Sequence, residues 1–298
     1  MLIYCNGDSF AAGVNLGDHI FPEYPGGFTW EELKTRTNDI NRFSKIKSEY
    51  LQKYVDLSKL LNSVNDVGFY DVPGLGLNQV AGCINHLERT YAFPAELEKL
   101  DSSIKVINKA KPGASMAGIC NRTLLDLLEL KSKGIRVDRV VIQLTSIGRY
   151  EVYDAEFPYF IFDRQLGHFN SDNKYINQIA EAVALKYSNY DHTVKFLYSL
   201  ITLKETVLSI TGKLPVLIDS MNGEHTDSLV EYTRPHINIT NTKSVEQYDA
   251  LVEHSMIKTA HQMLMHNLSK QVNRPYAYDG HFRSEVHKLT AVELIKLL

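Results

Sequence analysis

Four short apolar runs punctuate this chain, and the intervals between them carry helical periodicity. Leu2 to Asn6 ends in Gly7-Asp8-Ser9, and Ile104 to Asn108 leads to Lys111-Pro112-Gly113. Val137 to Leu144 is rich in β-branched residues, and Leu214 to Ile218 is the fourth run. Runs of this length bounded by turn formers predict buried strands. Between them, Pro94 to Leu100 opens with proline in a first turn, Ile119 to Lys133 spaces Leu124, Leu125, Leu128 and Lys131 at helical intervals, and His192 to Ile210 is amphipathic. Strand alternating with helix predicts an α/β fold with a central parallel sheet. Two further helices are expected, Val245 to Leu268 and Ser284 to Leu298, the second with an apolar stripe of Val286, Leu289, Val292 and Ile295 that should pack on the sheet. No Pro/Gly/Ser-rich linker divides the chain, so residues 1–298 read as a single domain. Insertions fall at about 20–90 and 150–190, both rich in Tyr, Phe, Asn and Asp. Each follows a strand end, so they are candidates for walls or lids over a ligand crevice, or equally for packing covers or a homo-oligomer interface.

The 298 residues carry 44% hydrophobic side chains, enough for a large core, and 32 basic against 35 acidic residues give a net charge of -3. A chain without a positive field is not expected to bind nucleic acid. No stretch approaches the ~20 apolar residues that span a bilayer, so no membrane role is expected either. Three cysteines, Cys5, Cys83 and Cys120, are too few for a disulfide framework and too scattered for a zinc site. With an N-terminus that lacks a basic lead and a small-residue cleavage site, they predict a reducing, cytoplasmic setting. No metal and no cofactor are implied: Gly74-Leu75-Gly76 lacks the third glycine of a dinucleotide loop. His254, His261 and His266 fall on one expected helix without the carboxylate of a His-Glu-x-x-His arrangement.

The chemistry gathers at the strand ends. Gly7-Asp8-Ser9, Gly113-Ala114-Ser115, Thr145-Ser146 and Asp219-Ser220 all follow strands, and in an open parallel sheet those carboxyl ends share one edge. Tyr278-Asp279-Gly280-His281 precedes the last helix and adds a carboxylate and an imidazole. A nucleophile, a base and an orienting acid are thus available.

Asn6-Gly7-Asp8-Ser9-Phe10 resembles the first block of the SGNH (GDSL-type) hydrolases, and Asp279-Gly280-His281 resembles their last. Asn108 to Ser115 is similar to their Asn-x-x-x-x-Gly-x-Ser stretch. The resemblance implies a flavodoxin-like three-layer α/β/α sandwich and a metal-independent serine esterase. Ser9 would be the nucleophile, His281 the general base and Asp279 the residue that orients the imidazole. The backbone N–H groups of Ser9 and Gly113 would hold the oxyanion. Asp8, Arg149 and Ser115 are the expected substrate-binding residues. The third block departs from the family's Gly-x-Asn-Asp: here the strand ends Thr145-Ser146-Ile147-Gly148-Arg149-Tyr150-Glu151, a Thr-Ser-x-x-Arg-x-Glu arrangement similar to that of divergent phage and bacterial members. Ser146 and Thr145 are then first in line for the polar role of the absent Asn, with Arg149 as an anion or oxyanion contact. His287 offers a second imidazole, but it falls inside a helix, where a surface histidine is inert.

The expected substrate is an acyl ester, acetyl foremost, of a carbohydrate or other small hydroxylated molecule. The alternative is a scaffold of weak or lost activity that binds a glycan or protein partner. A rival site also exists on paper: Gly113-Ala114-Ser115-Met116-Ala117 approximates a nucleophile elbow, and Ser115, Asp219 and His281 follow the α/β-hydrolase order.

Overall fold

The computed structural model describes residues 1–13, 27, 29, 32, 89–111, 113–147, 149–152, 160–163, 178, 182, 189–220, 242–255, 262–276 and 281–298. Its elements in chain order are β1 (Leu2–Asn6), α1 (Ser9–Ala12), α2 (Phe93–Leu100), β2 (Lys105–Asn108), α3 (Met116–Ser132), β3 (Arg139–Leu144), β4 (Arg149–Val152) and β5 (Phe160–Asp163). They are followed by α4 (Asn189–Thr211), β6 (Val216–Asp219), α5 (Thr242–His254), β7 (Gln262–Leu264), α6 (Met265–Ser269) and α7 (Ser284–Ile295). Most of the 20–90 span, much of 150–190, and Cys83, His261, Asp279 and Gly280 lie outside the described residues. The chain packs as two compact units assembled from separate stretches: Met1–Ser9 with Ser103–His266 and Leu297–Leu298, and Phe10–Ser102 with Asn267–Lys296.

The first unit holds a five-stranded sheet in the order β2-β1-β3-β6-β7. Every pairing in it is parallel, with registers such as Tyr4 opposite Ile107 and Val140, and Ile142 opposite Leu217. Counted within this sheet the order is 2-1-3-4-5, that of a flavodoxin-like doubly wound fold. All four expected strands form. One face presents Tyr4, Val140, Ile142, Leu144 and Leu217 to a core shared with Ile119 and Leu127 of α3, Phe196, Leu200 and Leu203 of α4, and Tyr248 and Val252 of α5. Ile3, Cys5, Val141, Val216 and Ile218, which alternate with them, are equally buried, as a parallel sheet requires of both its faces.

Two expectations about the helices are corrected. The single helix over Val245 to Leu268 is broken: α5 ends at His254, and Gln262–Leu264 is the fifth strand, paired with Leu217, Ile218 and Asp219 of β6. Its residues lack β-branching, so only the neighbouring ladder makes them a strand. The helix expected over Ile119 to Lys133 forms as α3, and its buried face is Met116, Ile119, Cys120, Thr123 and Leu127, while Leu125 and Leu128 are exposed. Leucines crowd more than one side of this helix, so periodicity alone does not select the inner one. The buried stripe of α7 is Val286, His287, Thr290, Ala291 and Leu294, with Val292 exposed.

At the insertion expected over about 150–190, β4 and β5 pair antiparallel, Arg149 opposite Asp163. In the second unit, α7 packs against α2. The Phe93 N–H, at the start of α2, donates to Nδ1 of His287 at 3.2 Å, and the two rings stack with centroids 6.2 Å apart. The expectation of an inert surface imidazole at His287 is therefore corrected: the ring is fully buried and satisfies a helix-terminal donor that no other cap serves. No described helix is long and apolar enough to cross a membrane.

Candidate active site

In a 2-1-3-4-5 sheet the connections leave β1 in opposite directions, and the crevice opens between the carboxyl ends of β1 and β3. Those two ends carry Gly7-Asp8-Ser9 and Thr145-Ser146.

The turn after β1 is held by side chains of the strands themselves. Asn6 accepts from the Gly7 N–H at 2.8 Å, and its own amide donates to Thr123 Oγ1 at 2.9 Å and to the Ile119 carbonyl at 3.1 Å. The Asp8 N–H donates to Gln143 Oε1 at 2.8 Å, while Gln143 Nε2 donates to Ser220 Oγ at 2.6 Å and also reaches the Leu144 carbonyl. Gln143 thereby joins the carboxyl ends of β1, β3 and β6. Its signal in the sequence is a lone amide inside Val-Val-Ile-Gln-Leu, a buried polar group that must find partners.

Asp8 is wholly buried and forms an ion pair with Arg149, Nη1 to Oδ2 at 2.6 Å. Thr145 Oγ1 donates to the same carboxylate oxygen at 3.0 Å and accepts from Arg149 at 2.8 Å. Two expected roles change as a result. Asp8 exposes no surface to a substrate and is instead the anchor of the turn that carries Ser9. Thr145 commits its one proton to Asp8 and has none for an oxyanion. Ser146 is the remaining hydroxyl at this strand end, 8% exposed. Ser9 itself opens α1 and is 5% exposed.

The β2–α3 turn brings Gly113 and Ser115. Gly113 sits at φ 73°, a left-handed conformation that a Cβ would strain. Ser115 is extended, φ -79° and ψ 164°, and its Oγ accepts from the Gly118 N–H at 3.1 Å. That is the geometry of a helix N-cap. The elbow reading of Ser115 with Asp219 and His281 is overturned here, because an elbow serine sits on a strained turn directly off its strand, whereas Ser115 lies beyond the end of β2 in relaxed backbone.

Beside these residues the first unit contains a cleft of about 360 Å³. Ser115, Ser146 and Arg149 line it together with His192, Lys195 and Tyr198 of α4. The α4 residues carry no motif, and only the packing of α4 on α3 places them there.

His281 belongs to the second unit, where it is half-buried just before α7. Its neighbours are pinned by an antiparallel bridge between Tyr276 and Phe282, whose rings stack at 5.3 Å, and by the Arg283 N–H donating to the Pro275 carbonyl at 2.8 Å. Its expected partner Asp279 lies outside the described residues. No group of three or more metal-ligating side chains gathers among the described residues.

No protein-family profile matches this chain, and no curated protein does. Similar solved structures exist. Est24, a carbohydrate acetylesterase from Sinorhizobium meliloti, is 11% identical over 100% of this chain and 99% of its own, with a TM-score of 0.40. A member of the lipolytic G-D-S-L family from Veillonella parvula is 8% identical over 100% and 98%, also with a TM-score of 0.40. An aryl esterase of M. smegmatis is 12% identical over 100% and 99%, with a TM-score of 0.39. The parallel sheet and its order rest on this chain's own hydrogen-bonded register.

Proposed function

We propose that this protein is a serine esterase of the SGNH type that removes a short acyl group, acetyl foremost, from a hydroxylated substrate such as a carbohydrate. The observation that carries the reading is the position of Ser9. It follows β1 at the switch point of a 2-1-3-4-5 sheet, on a turn fixed by Gln143, Thr145 and Arg149. Ser9 Oγ attacks the ester carbonyl while His281 takes its proton, Asp279 orienting the imidazole. The negative charge on the carbonyl oxygen is met by the N–H groups of Ser9 and Gly113, with Ser146 as the side-chain donor. Collapse of the tetrahedral intermediate returns the proton to the leaving alcohol. Water, deprotonated by the same histidine, then releases the acid from acyl-Ser9.

The test is hydrolysis of p-nitrophenyl acetate together with fluorophosphonate labelling of wild type, Ser9→Ala, His281→Ala and Ser115→Ala. Ser9→Ala and His281→Ala should each lose about 10⁴-fold or more in kcat, with Ser9→Ala unlabelled. Ser115→Ala should still label. A second reading, a scaffold that binds without turnover, is favoured by one feature: Thr145 and Arg149 both bond Asp8, and no Asn amide stands at that strand end. Wild-type protein inert to both reagents would select it.

A further inference from the structure

The cleft of the first unit has a consistent electrostatic character. Lys195 lines it, as do the imidazole of His192 and the guanidinium of Arg149, whose charge is matched on its other side by buried Asp8, and no carboxylate stands among its described lining residues. Arg149 is fixed from behind by Asp8 and Thr145, its side chain only 10% exposed, so its guanidinium is presented in one orientation. Met116 and Ala117, the first turn of the 17-residue α3, complete one wall, and that turn contains no acidic residue of its own. The partial positive charge of a helix N-terminus thus adds to that of the side chains. The hydroxyls of Ser115 and Ser146 and the half-exposed ring of Tyr198 supply polar contacts and a flat apolar surface.

We propose that this cleft binds an oxyanion-bearing sugar, one that carries a carboxylate or a phosphate, and so makes the substrate an ester of an acidic rather than a neutral carbohydrate. The inference rests on the esterase reading for the word substrate, but the binding itself does not. A volume of about 360 Å³ lies at the small end of ligand sites, which suits one ring. Arg149 reaches the cleft and Asp8 at once, and Asp8 precedes Ser9, so a bound anion would lie close to the turn that carries the nucleophile. Lys195, exposed on α4, would set the preference for charge.

The experiment is calorimetric titration of the full chain with D-glucuronate, glucose 6-phosphate and glucose, on wild type, Lys195→Glu and Lys195→Ala, with thermal unfolding as a check on folding. At least one acidic sugar should bind at least about tenfold tighter than glucose, and Lys195→Glu should erase that margin. Lys195→Ala should fall between the two, and added salt should weaken only the acidic sugars. Should Lys195→Glu fail to fold, Lys195→Ala carries the comparison. Equal binding of the three sugars, no binding of either acidic one, or a margin untouched by both variants overturns the proposal. Fluorophosphonate labelling of Ser9 separates the two readings: binding without labelling sinks the esterase and spares the cleft, and labelling without charge preference does the reverse.

Discussion

Arg149 and Asp8 form a largely buried charge pair, the kind whose separation costs most. Removing one partner leaves the other charge buried and alone, so Arg149→Met should lower unfolding free energy by about 3–5 kcal/mol in urea titration. The double variant Asp8→Asn/Arg149→Met should lose less than Arg149→Met alone, because no charge is then stranded. His287 is the second residue with a measurable signature. Burial, joined by the charge of nearby His281 and opposed by a hydrogen bond with the Phe282 backbone, pulls its pKa from 6.5 down to about 3. The folded chain therefore keeps this ring neutral while the unfolded chain protonates it. Its contribution is complete above pH 6.5 and is lost as pH falls from there towards 3, with a slope approaching ~1.4 kcal/mol per pH unit. His287→Gln should flatten that part of the stability profile in denaturant titrations at about pH 7 and about pH 4.5. An unchanged slope would mean that the imidazole is not held neutral.

Among the elements, α3 is bracketed by its own signals. Ser115 caps its start, and at its end Gly134, at φ 69°, lets its N–H reach the Lys131 carbonyl while Ile135 reaches that of Leu130. Ser115→Ala should cost about 1 kcal/mol of stability and Ser115→Asp little, with fluorophosphonate labelling retained in both. A loss of labelling in Ser115→Ala with stability intact would return Ser115 to the chemistry. Strands β1, β2, β3 and β6 were legible because short apolar, often β-branched runs stop at turn residues. β7 was not, since Gln262-Met263-Leu264 becomes a strand only by lying against β6. The inner face of α7 differs from its expected apolar stripe, and that of α3 does not follow from its leucines, for a related reason. Apolar residues lie on more than one side of each helix, and tertiary packing, which sequence spacing does not encode, selects the side.

At the scale of the whole chain, the sequence identified which residues could do chemistry but not how they are employed. Asp8 and Thr145 looked like site residues, yet they bond inward to each other and to Arg149, which alone of the three also lines the cleft. Ion pairs between residues so far apart in the chain follow from strand order, and strand order follows from packing rather than from any local pattern. His192 and Lys195 carried no signal for the same reason. Gln143 shows what this architecture demands. A carboxamide has two unlike ends, and here the oxygen meets an N–H of the turn after β1 while the nitrogen meets a hydroxyl after β6. Turned around, it would oppose donor to donor at Asp8. The three strand ends are therefore indexed by one side chain, and a slip of any of them by one residue would break that link at the floor of the crevice.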